Sequence, residues 1–135
     1  MTNSNFEKVI LVIDDEKDFR NLLIRQLEAY KYVAIGAGDG REGLAILDEV
    51  HVDLIITDIF MPGMDGLEFI RKIRKNNQEL KIVAISGGGD SGLMESLEWS
   101  KVFGANTVLH KPFDTNTLLT VLADEFDTTI TENIN

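Results

Sequence analysis

The chain has 135 residues, a formal net charge of −10 and no cysteine. This length is typical of one domain, the negative charge disfavours DNA or RNA as a partner, and the lack of cysteine excludes disulfides, thiolate metal ligands and cysteine catalysis. Hydrophobic residues make up 44% of the chain, which suffices for a core, and no apolar run is long enough to span a membrane. We therefore expect an acidic, cytoplasmic domain that binds neither nucleic acid nor a membrane.

Short apolar runs rich in β-branched residues predict five strands. They lie at Lys8–Ile13, Tyr32–Ile35, Val52–Thr57, Lys81–Ile85 and Asn106–Leu109. Continuous apolar character over four to six residues is typical of strands that are buried on both faces of a parallel sheet.

Segments with helical spacing of apolar residues separate these runs. The first has Phe19, Leu22, Leu23 and Leu27, the third has Leu67, Ile70 and Ile73, and the last has Leu118, Leu119, Leu122 and Phe126. The second and fourth helices are predicted near Asp39–Val50 and Ser91–Phe103. Asp39 is the expected N-cap of the second, with Glu42 as its capping partner, and Asp65 is the expected cap of the third.

Five strands alternating with five helices predict a doubly wound α/β domain. Its five-stranded parallel sheet would be flanked by the five helices. We place this domain at residues 8–126, after an N-terminal extension at 1–7. The polar, unpatterned residues 127–135 are expected to form a flexible tail.

Polar side chains follow four of the predicted strands, where ligands bind in open parallel sheets. Asp14 and Asp15 come after the first strand and Asp58 after the third. Ser86 follows the fourth strand and Lys111 comes just after the fifth. We expect three carboxylates, one hydroxyl and one ammonium to meet at this edge of the sheet.

These residue types favour phosphoryl transfer onto an aspartate. Three neighbouring carboxylates repel one another, and an all-oxygen cluster suits a hard cation such as Mg²⁺. A carboxylate beside such an ion can attack phosphorus, while a lysine and a hydroxyl can neutralise and bind the phosphoryl oxygens. The residues alone leave open which carboxylate is the acceptor, and Asp14 could simply cap the first helix.

Four motifs lie in a fixed order: Asp14-Asp15, Asp58 with Met61-Pro62-Gly63-Met64-Asp65-Gly66, Ser86-Gly87, and Lys111-Pro112-Phe113. In this order the chain resembles the receiver domain of two-component response regulators, from about Lys8 to Phe126. The resemblance implies the flavodoxin-like type of doubly wound fold. The likeness is strongest to stand-alone receivers of the chemotaxis type. Since a receiver fills these 135 residues, we expect the chain to signal by binding another protein or by onward transfer in a phosphorelay.

The resemblance implies that Asp58 accepts a phosphoryl group from a histidine kinase or a histidine phosphotransfer protein. It implies that Lys111 contacts the phosphoryl oxygens, that Ser86 is the switch hydroxyl, and that the Lys111–Pro112 peptide bond is cis. The implied Mg²⁺ ligands are Asp14, Asp15, Asp58 and the backbone carbonyl of Phe60. The chain would then be a signalling domain that catalyses only its own phosphorylation and dephosphorylation.

The family commonly has an aromatic residue where this chain has Val108, so we expect Ser86 and the adjoining loop and fourth helix to carry the switch. The resemblance implies a downstream target on the face of the fourth helix, fifth strand and fifth helix. Trp99, which the helical spacing points outward, is a candidate anchor there, and packing against a loop is the other interpretation.

Two other functions remain open from the sequence. The chain could be a degenerate receiver that binds partners without phosphorylation, although the motif residues are all present. A small Mg²⁺-dependent phosphatase of the haloacid-dehalogenase type also uses an aspartate nucleophile. Such enzymes usually carry a second aspartate two residues later, where this chain has Phe60.

Overall fold

The computed structural model describes residues 7–59, 61, 64–86 and 104–126. These residues form strands and helices in the order β1 (Val9–Ile13), α1 (Lys17–Ala29), β2 (Val33–Ala37), α2 (Gly40–Glu49), β3 (Leu54–Asp58), α3 (Gly66–Asn76), β4 (Lys81–Ser86), β5 (Thr107–His110) and α4 (Thr115–Phe126). The helix predicted near Ser91–Phe103, with Trp99, lies outside the described residues, as do the tail at 127–135 and most of the extension at 1–7. No helix within the described part is long and apolar enough to cross a bilayer.

The five strands form one parallel sheet in the order β2-β1-β3-β4-β5, which confirms the predicted fold class. The chain passes from β1 outward to β2 and then returns to the other side of β1 to form β3. This change of direction leaves a crevice between the carboxyl ends of β1 and β3, the usual ligand position in such sheets.

Alternate residues of the central strands supply a core on each face of the sheet. In β1, Leu11 and Ile13 pack with residues of α2 and α3, including Phe69. Ile10 and Val12 pack on the other face with residues of α1 and α4. The continuous apolar runs were therefore interpreted correctly for β1, β3 and β4, which are buried on both faces.

The edge strands differ from their predictions. β2 begins at Val33 rather than Tyr32 and continues to Ala37, because its pairing with β1 extends to Ile13 opposite Ala37. The Tyr32 ring instead stacks on Phe126, with 5.8 Å between the ring centroids. β2 and β5 are only partly buried, since each has a neighbour on one side alone.

Both predicted helix caps are present. The Asp39 carboxylate accepts a hydrogen bond from the Glu42 N–H at 2.9 Å, and Asp65 accepts one from the Glu68 N–H at 2.9 Å. The Glu42 carboxylate accepts a hydrogen bond from the Gly38 N–H at 2.8 Å, rather than from the N–H of the cap residue Asp39. Asp65 fixes the start of α3 directly after the loop that follows Asp58.

Candidate functional site

The predicted carboxylates meet at the crevice between β1 and β3. Asp14 follows β1 directly and Asp58 is the last residue of β3. Asp14, Asp15 and Asp58 each offer an oxygen within 4.8 Å of the others. Asp14 and Asp58 are buried, with 2% and 6% of their surface exposed, whereas Asp15 is exposed. A cation from the solvent would therefore reach this cluster from the side of Asp15.

Asp14 uses both carboxylate oxygens. Oδ1 accepts a hydrogen bond from the Glu16 N–H at 2.8 Å, and Oδ2 accepts one from Lys111 Nζ at 3.3 Å. Burial raises the pKa of Asp14, and the Glu16 N–H and the Lys111 ammonium oppose that rise. The N-cap of α1 is Glu16, so Asp14 is not the helix cap; it binds the turn before the helix with one oxygen.

The backbone at Asp58 is held closely on two sides. The Ile59 N–H donates to the Ile85 carbonyl at 2.9 Å, and the Gly66 N–H donates to the Ile59 carbonyl at 2.8 Å. A Cβ at Gly66 would lie 2.2 Å from the Asp58 carbonyl oxygen. Only glycine therefore allows α3 to begin this close to Asp58, which explains one residue of the 61–66 motif.

Lys111 lies among the acidic side chains with 14% of its side chain exposed. Its Nζ is 3.6 Å from Glu16 Oε1 and 3.9 Å from Asp58 Oδ2, in addition to its contact with Asp14. The ammonium also lies 3.8 Å from the centroid of the Phe19 ring. The Lys111–Pro112 peptide bond is cis, as the resemblance implies.

Ser86 ends β4 and is fully buried. Its Oγ has no hydrogen-bond partner among the residues that the structure describes. Its carbonyl accepts a hydrogen bond from the Lys111 N–H at 2.9 Å, which joins the ends of β4 and β5. A buried hydroxyl without a partner is costly, so an added acceptor oxygen at this position would be favourable.

Sequence reasoning missed Glu16 and Phe19. The spacing of Phe19 within α1 indicates only an apolar helix stripe, and its ring does pack against the core. Glu16 adjoins the Asp14-Asp15 pair, and this adjacency was the available signal. Phe60, named above for its carbonyl, lies outside the described residues.

The donor set fits a hard divalent cation. All of the grouped ligand atoms are carboxylate oxygens, which Mg²⁺ prefers over nitrogen or sulfur. In these contacts one ammonium, that of Lys111, faces the three carboxylates of Asp14, Glu16 and Asp58, so negative charge is in excess among them. A bound cation would offset that excess and allow an anionic ligand to approach.

Residues 10–123 match the family model described as response regulator receiver domain. The chain belongs to this family, and it is a receiver domain of a two-component response regulator. Receiver domains are signalling domains, not classical enzymes.

Individual relatives show the same likeness. The chain is 36% identical over 111 residues to a probable chemotaxis protein CheY of Rhizobium etli, covering 79% of this chain and 84% of that protein. It is 33% identical over 123 residues to the CAI-1 autoinducer sensor kinase/phosphatase CqsS of Vibrio cholerae, covering 91% of this chain. The chain spans only 18% of that kinase, and it spans 13% of the sensor kinase CckA of Brucella abortus and 9% of the sensor protein EvgS of Escherichia coli.

A solved structure supports the fold. The chemotaxis protein CheY4 of Vibrio cholerae superposes with a TM-score of 0.78 at 30% identity, over 87% of this chain and 98% of that one.

Proposed function

We propose that Asp58 accepts a phosphoryl group from a histidine kinase or a histidine phosphotransfer protein, with Mg²⁺, and that the resulting acyl phosphate switches protein–protein interactions. One observation carries this proposal: the crevice brings Asp58 within 3.9 Å of the Lys111 ammonium, beside the carboxylates of Asp14 and Asp15. Family membership supports the kind of donor.

Asp58 suits the role of acceptor better than its neighbours. Asp14 is bound through one oxygen to the Glu16 N–H and through the other to Lys111, which suits a ligand held in place. Asp15 is exposed at the rim. Asp58 ends the strand beside the crevice, and its backbone is held by α3 and β4, so an attacking oxygen has a defined position.

The proposed step is a transfer at phosphorus. A carboxylate oxygen of Asp58 forms a new O–P bond as the P–N bond of phosphohistidine, or the P–O bond of an acyl phosphate, breaks. The electron pair of the broken bond stays on the leaving group. Lys111 keeps its protons and neutralises charge on the phosphoryl oxygens, and the Ser86 hydroxyl donates to one of them.

We propose Asp14, Asp15, Asp58 and the Phe60 carbonyl as the Mg²⁺ ligands. The ion, when bound, supplies positive charge that reduces repulsion between these carboxylates and the incoming phosphoryl group. The cluster of three carboxylates, in which Asp15 is exposed, would provide oxygen ligands, and Lys111 lies close enough to share in the neutralisation.

Phosphorylation would act as a switch through Ser86 and Lys111. The new group adds about 1.5 to 2 negative charges and strong acceptor oxygens. The backbone hydrogen bond from Lys111 to Ser86 couples the ends of β4 and β5, so both residues would respond together. One arrangement of the adjoining loops satisfies the new oxygens, which shifts a two-state population.

We place the downstream binding surface on the face of β5, α4 and the helix predicted near Ser91–Phe103, with Trp99 as its candidate anchor. Val108, at the usual aromatic position, is half-buried against the core of the α3 side. It cannot act as an aromatic switch, so Ser86 and the segment after it carry the change. The receiver unit is proposed at 8–126, where Lys8 Nζ lies 5.5 Å from the centroid of the Phe126 ring.

The test is phosphorylation by a small-molecule donor. Purified protein is incubated with acetyl phosphate and Mg²⁺, and intact mass is measured with and without a chelator. The parent is expected to gain one phosphoryl group only with Mg²⁺, and Asp58→Asn none. Asp39→Asn is the matched control, because asparagine also caps a helix and Asp39 lies at the start of α2.

Two results would overturn the proposal. A phosphoryl gain that persists in Asp58→Asn would place the acceptor elsewhere. No gain in the parent would favour a receiver that binds its partners without phosphorylation.

A further inference from the structure

The Lys111 ammonium lies over an aromatic ring as well as among carboxylates. Its Nζ is 3.8 Å from the centroid of Phe19, which lies in the first turn of α1. The face of an aromatic ring carries negative charge density and attracts a cation, most strongly where water is partly excluded. Only 14% of the Lys111 side chain is exposed, so this site meets that condition.

The Phe19 ring is itself held in place. Its plane is at 89° to that of Phe113, with 6.2 Å between the centroids, which is the favoured edge-to-face arrangement. Phe113 follows the cis Lys111–Pro112 bond by one residue. The segment that carries Lys111 therefore also carries the ring that braces Phe19.

A competing carboxylate makes this ring matter. Glu16 Oε1 is 3.6 Å from Lys111 Nζ and belongs to a side chain that is 71% exposed. A lysine has a long, flexible stem, and an ammonium drawn by Glu16 alone would move towards solvent. The ring opposes that movement, because the attraction to its face is lost when the ammonium leaves.

We propose that Phe19 is a positioning residue, whose ring face holds the Lys111 ammonium beside Asp14 and Asp58 at the place where phosphoryl oxygens arrive. This inference rests on the proposed function of the site. It assigns to an apolar helix residue a role in phosphoryl transfer that acts through Lys111.

The position of the ammonium can be measured without any phosphorylation. A methylene group over a ring face is shifted upfield by the ring current, so the ε-CH₂ protons of Lys111 should resonate upfield of those of exposed lysines in a ¹H–¹³C spectrum. Loss of the signal in Lys111→Arg assigns it. The upfield shift should persist in Phe19→Tyr and disappear in Phe19→Leu, which keeps an apolar side chain without a ring.

Phosphorylation kinetics give the second measurement. With acetyl phosphate and saturating Mg²⁺, Phe19→Leu should be phosphorylated about three- to tenfold more slowly than the parent, and Phe19→Tyr at nearly the parent rate. Phe126→Leu is the matched control. The centroid of the Phe126 ring lies 5.5 Å from Lys8 Nζ and the ring stacks on Tyr32, at the end of β1 opposite to Asp14. Removing this ring should leave the rate unchanged.

The outcomes separate the two proposals. No phosphoryl gain in the parent contradicts the proposed function, while the Lys111 spectrum still decides whether Phe19 holds the ammonium. Absence of the upfield shift, an unchanged rate in Phe19→Leu, or an equal loss in Phe126→Leu would overturn the role of Phe19. Should Phe19→Leu not fold, Phe19→Met replaces it, with the same expected results.

Discussion

Lys31 has a backbone conformation that favours glycine. It follows the end of α1 with φ of 76°, in the left-handed region. The Lys31 N–H donates to the Glu28 carbonyl and the Tyr32 N–H to the Leu27 carbonyl, at 3.0 and 3.1 Å. These two bonds close the helix in the Schellman motif, where glycine is the usual residue because a Cβ is unfavourable there.

Lys31→Gly should therefore stabilise the protein. We expect the free energy of unfolding to rise by about 0.5 to 1 kcal/mol, the left-handed preference being partly offset by the entropy that glycine loses on folding. Urea unfolding monitored by circular dichroism measures the change.

The control is Lys72→Gly, at an exposed position inside α3. There glycine should lower the free energy of unfolding by about 1 kcal/mol. Destabilisation by both variants would contradict the interpretation of Lys31.

Single residues differ in how well the sequence predicts them. Asp14, Asp58 and Ser86 could be placed together because each lies at the carboxyl end of a predicted parallel strand. The contact of Phe19 with Lys111 could not be predicted, since the two are far apart in sequence and a ring in an apolar stripe looks the same whether or not a cation lies over it. Gly66 could be assigned to a turn, but its close approach to the Asp58 carbonyl required the packing of α3.

The side chain of Arg74 joins the end of α3 to the segment before β5. Arg74 donates to the carbonyl of Gly104 at 2.9 Å, to the carbonyl of Asn77 at 3.0 Å and to Asn106 Oδ1 at 3.0 Å. Asn106 Oδ1 also accepts from the Ile82 N–H at 2.8 Å. Gly104 has φ of 121°, and a Cβ there would lie 2.7 Å from Arg74 Cγ. Arg74 thus links a helix to both β4 and the start of β5.

Removing this link should be costly. In Arg74→Met the aliphatic part remains and three acceptors lose a charged donor, so we expect a loss of about 1.5 to 3 kcal/mol in the free energy of unfolding. Lys75→Met, at an exposed neighbouring position, should change it by less than about 0.5 kcal/mol. Equal effects of the two variants in urea unfolding would show that the Arg74 hydrogen bonds contribute little.

Elements were predicted best where the pattern reflects burial on both faces. The runs at β1, β3 and β4 fulfil that condition, and these strands lie in the centre of the sheet. The run at Tyr32–Ile35 has the same apolar character, although β2 is an edge strand. Strand order depends on contacts between distant segments, so a single apolar run does not distinguish an edge from a centre.

The negative charge gathered at the site affects the stability of the whole protein. The chain has a formal net charge of −10, and the crevice gathers three carboxylates within 4.8 Å of one another. Burial raises the pKa of Asp14 above its ordinary value, so the folded protein binds this proton more tightly than the unfolded chain does. The ionised Asp14 therefore lowers stability at neutral pH, and this loss is relieved as pH falls through the raised pKa.

Asp14→Asn should accordingly raise the melting temperature of the metal-free protein at pH 7. The gain over the parent should shrink as pH falls through the raised pKa, because the parent carboxyl then takes up its proton. Added Mg²⁺ should raise the melting temperature of the parent at pH 7 and raise that of Asp14→Asn much less, because the ion binds the carboxylates of the folded protein. Calorimetry with Mg²⁺ or a chelator measures both, and a lower melting temperature for metal-free Asp14→Asn at pH 7 would contradict the account.

The identity of the phosphorylated residue tests the account most directly. After treatment with acetyl phosphate and Mg²⁺, borohydride reduces an aspartyl phosphate to homoserine and leaves free carboxylates unchanged, so tandem mass spectrometry of the peptides locates the site. We expect homoserine at position 58, and none there when Mg²⁺ is chelated. Homoserine at position 14 or 15 instead, or a phosphoryl gain with position 58 unmodified, would contradict the assignment of Asp58 as the acceptor.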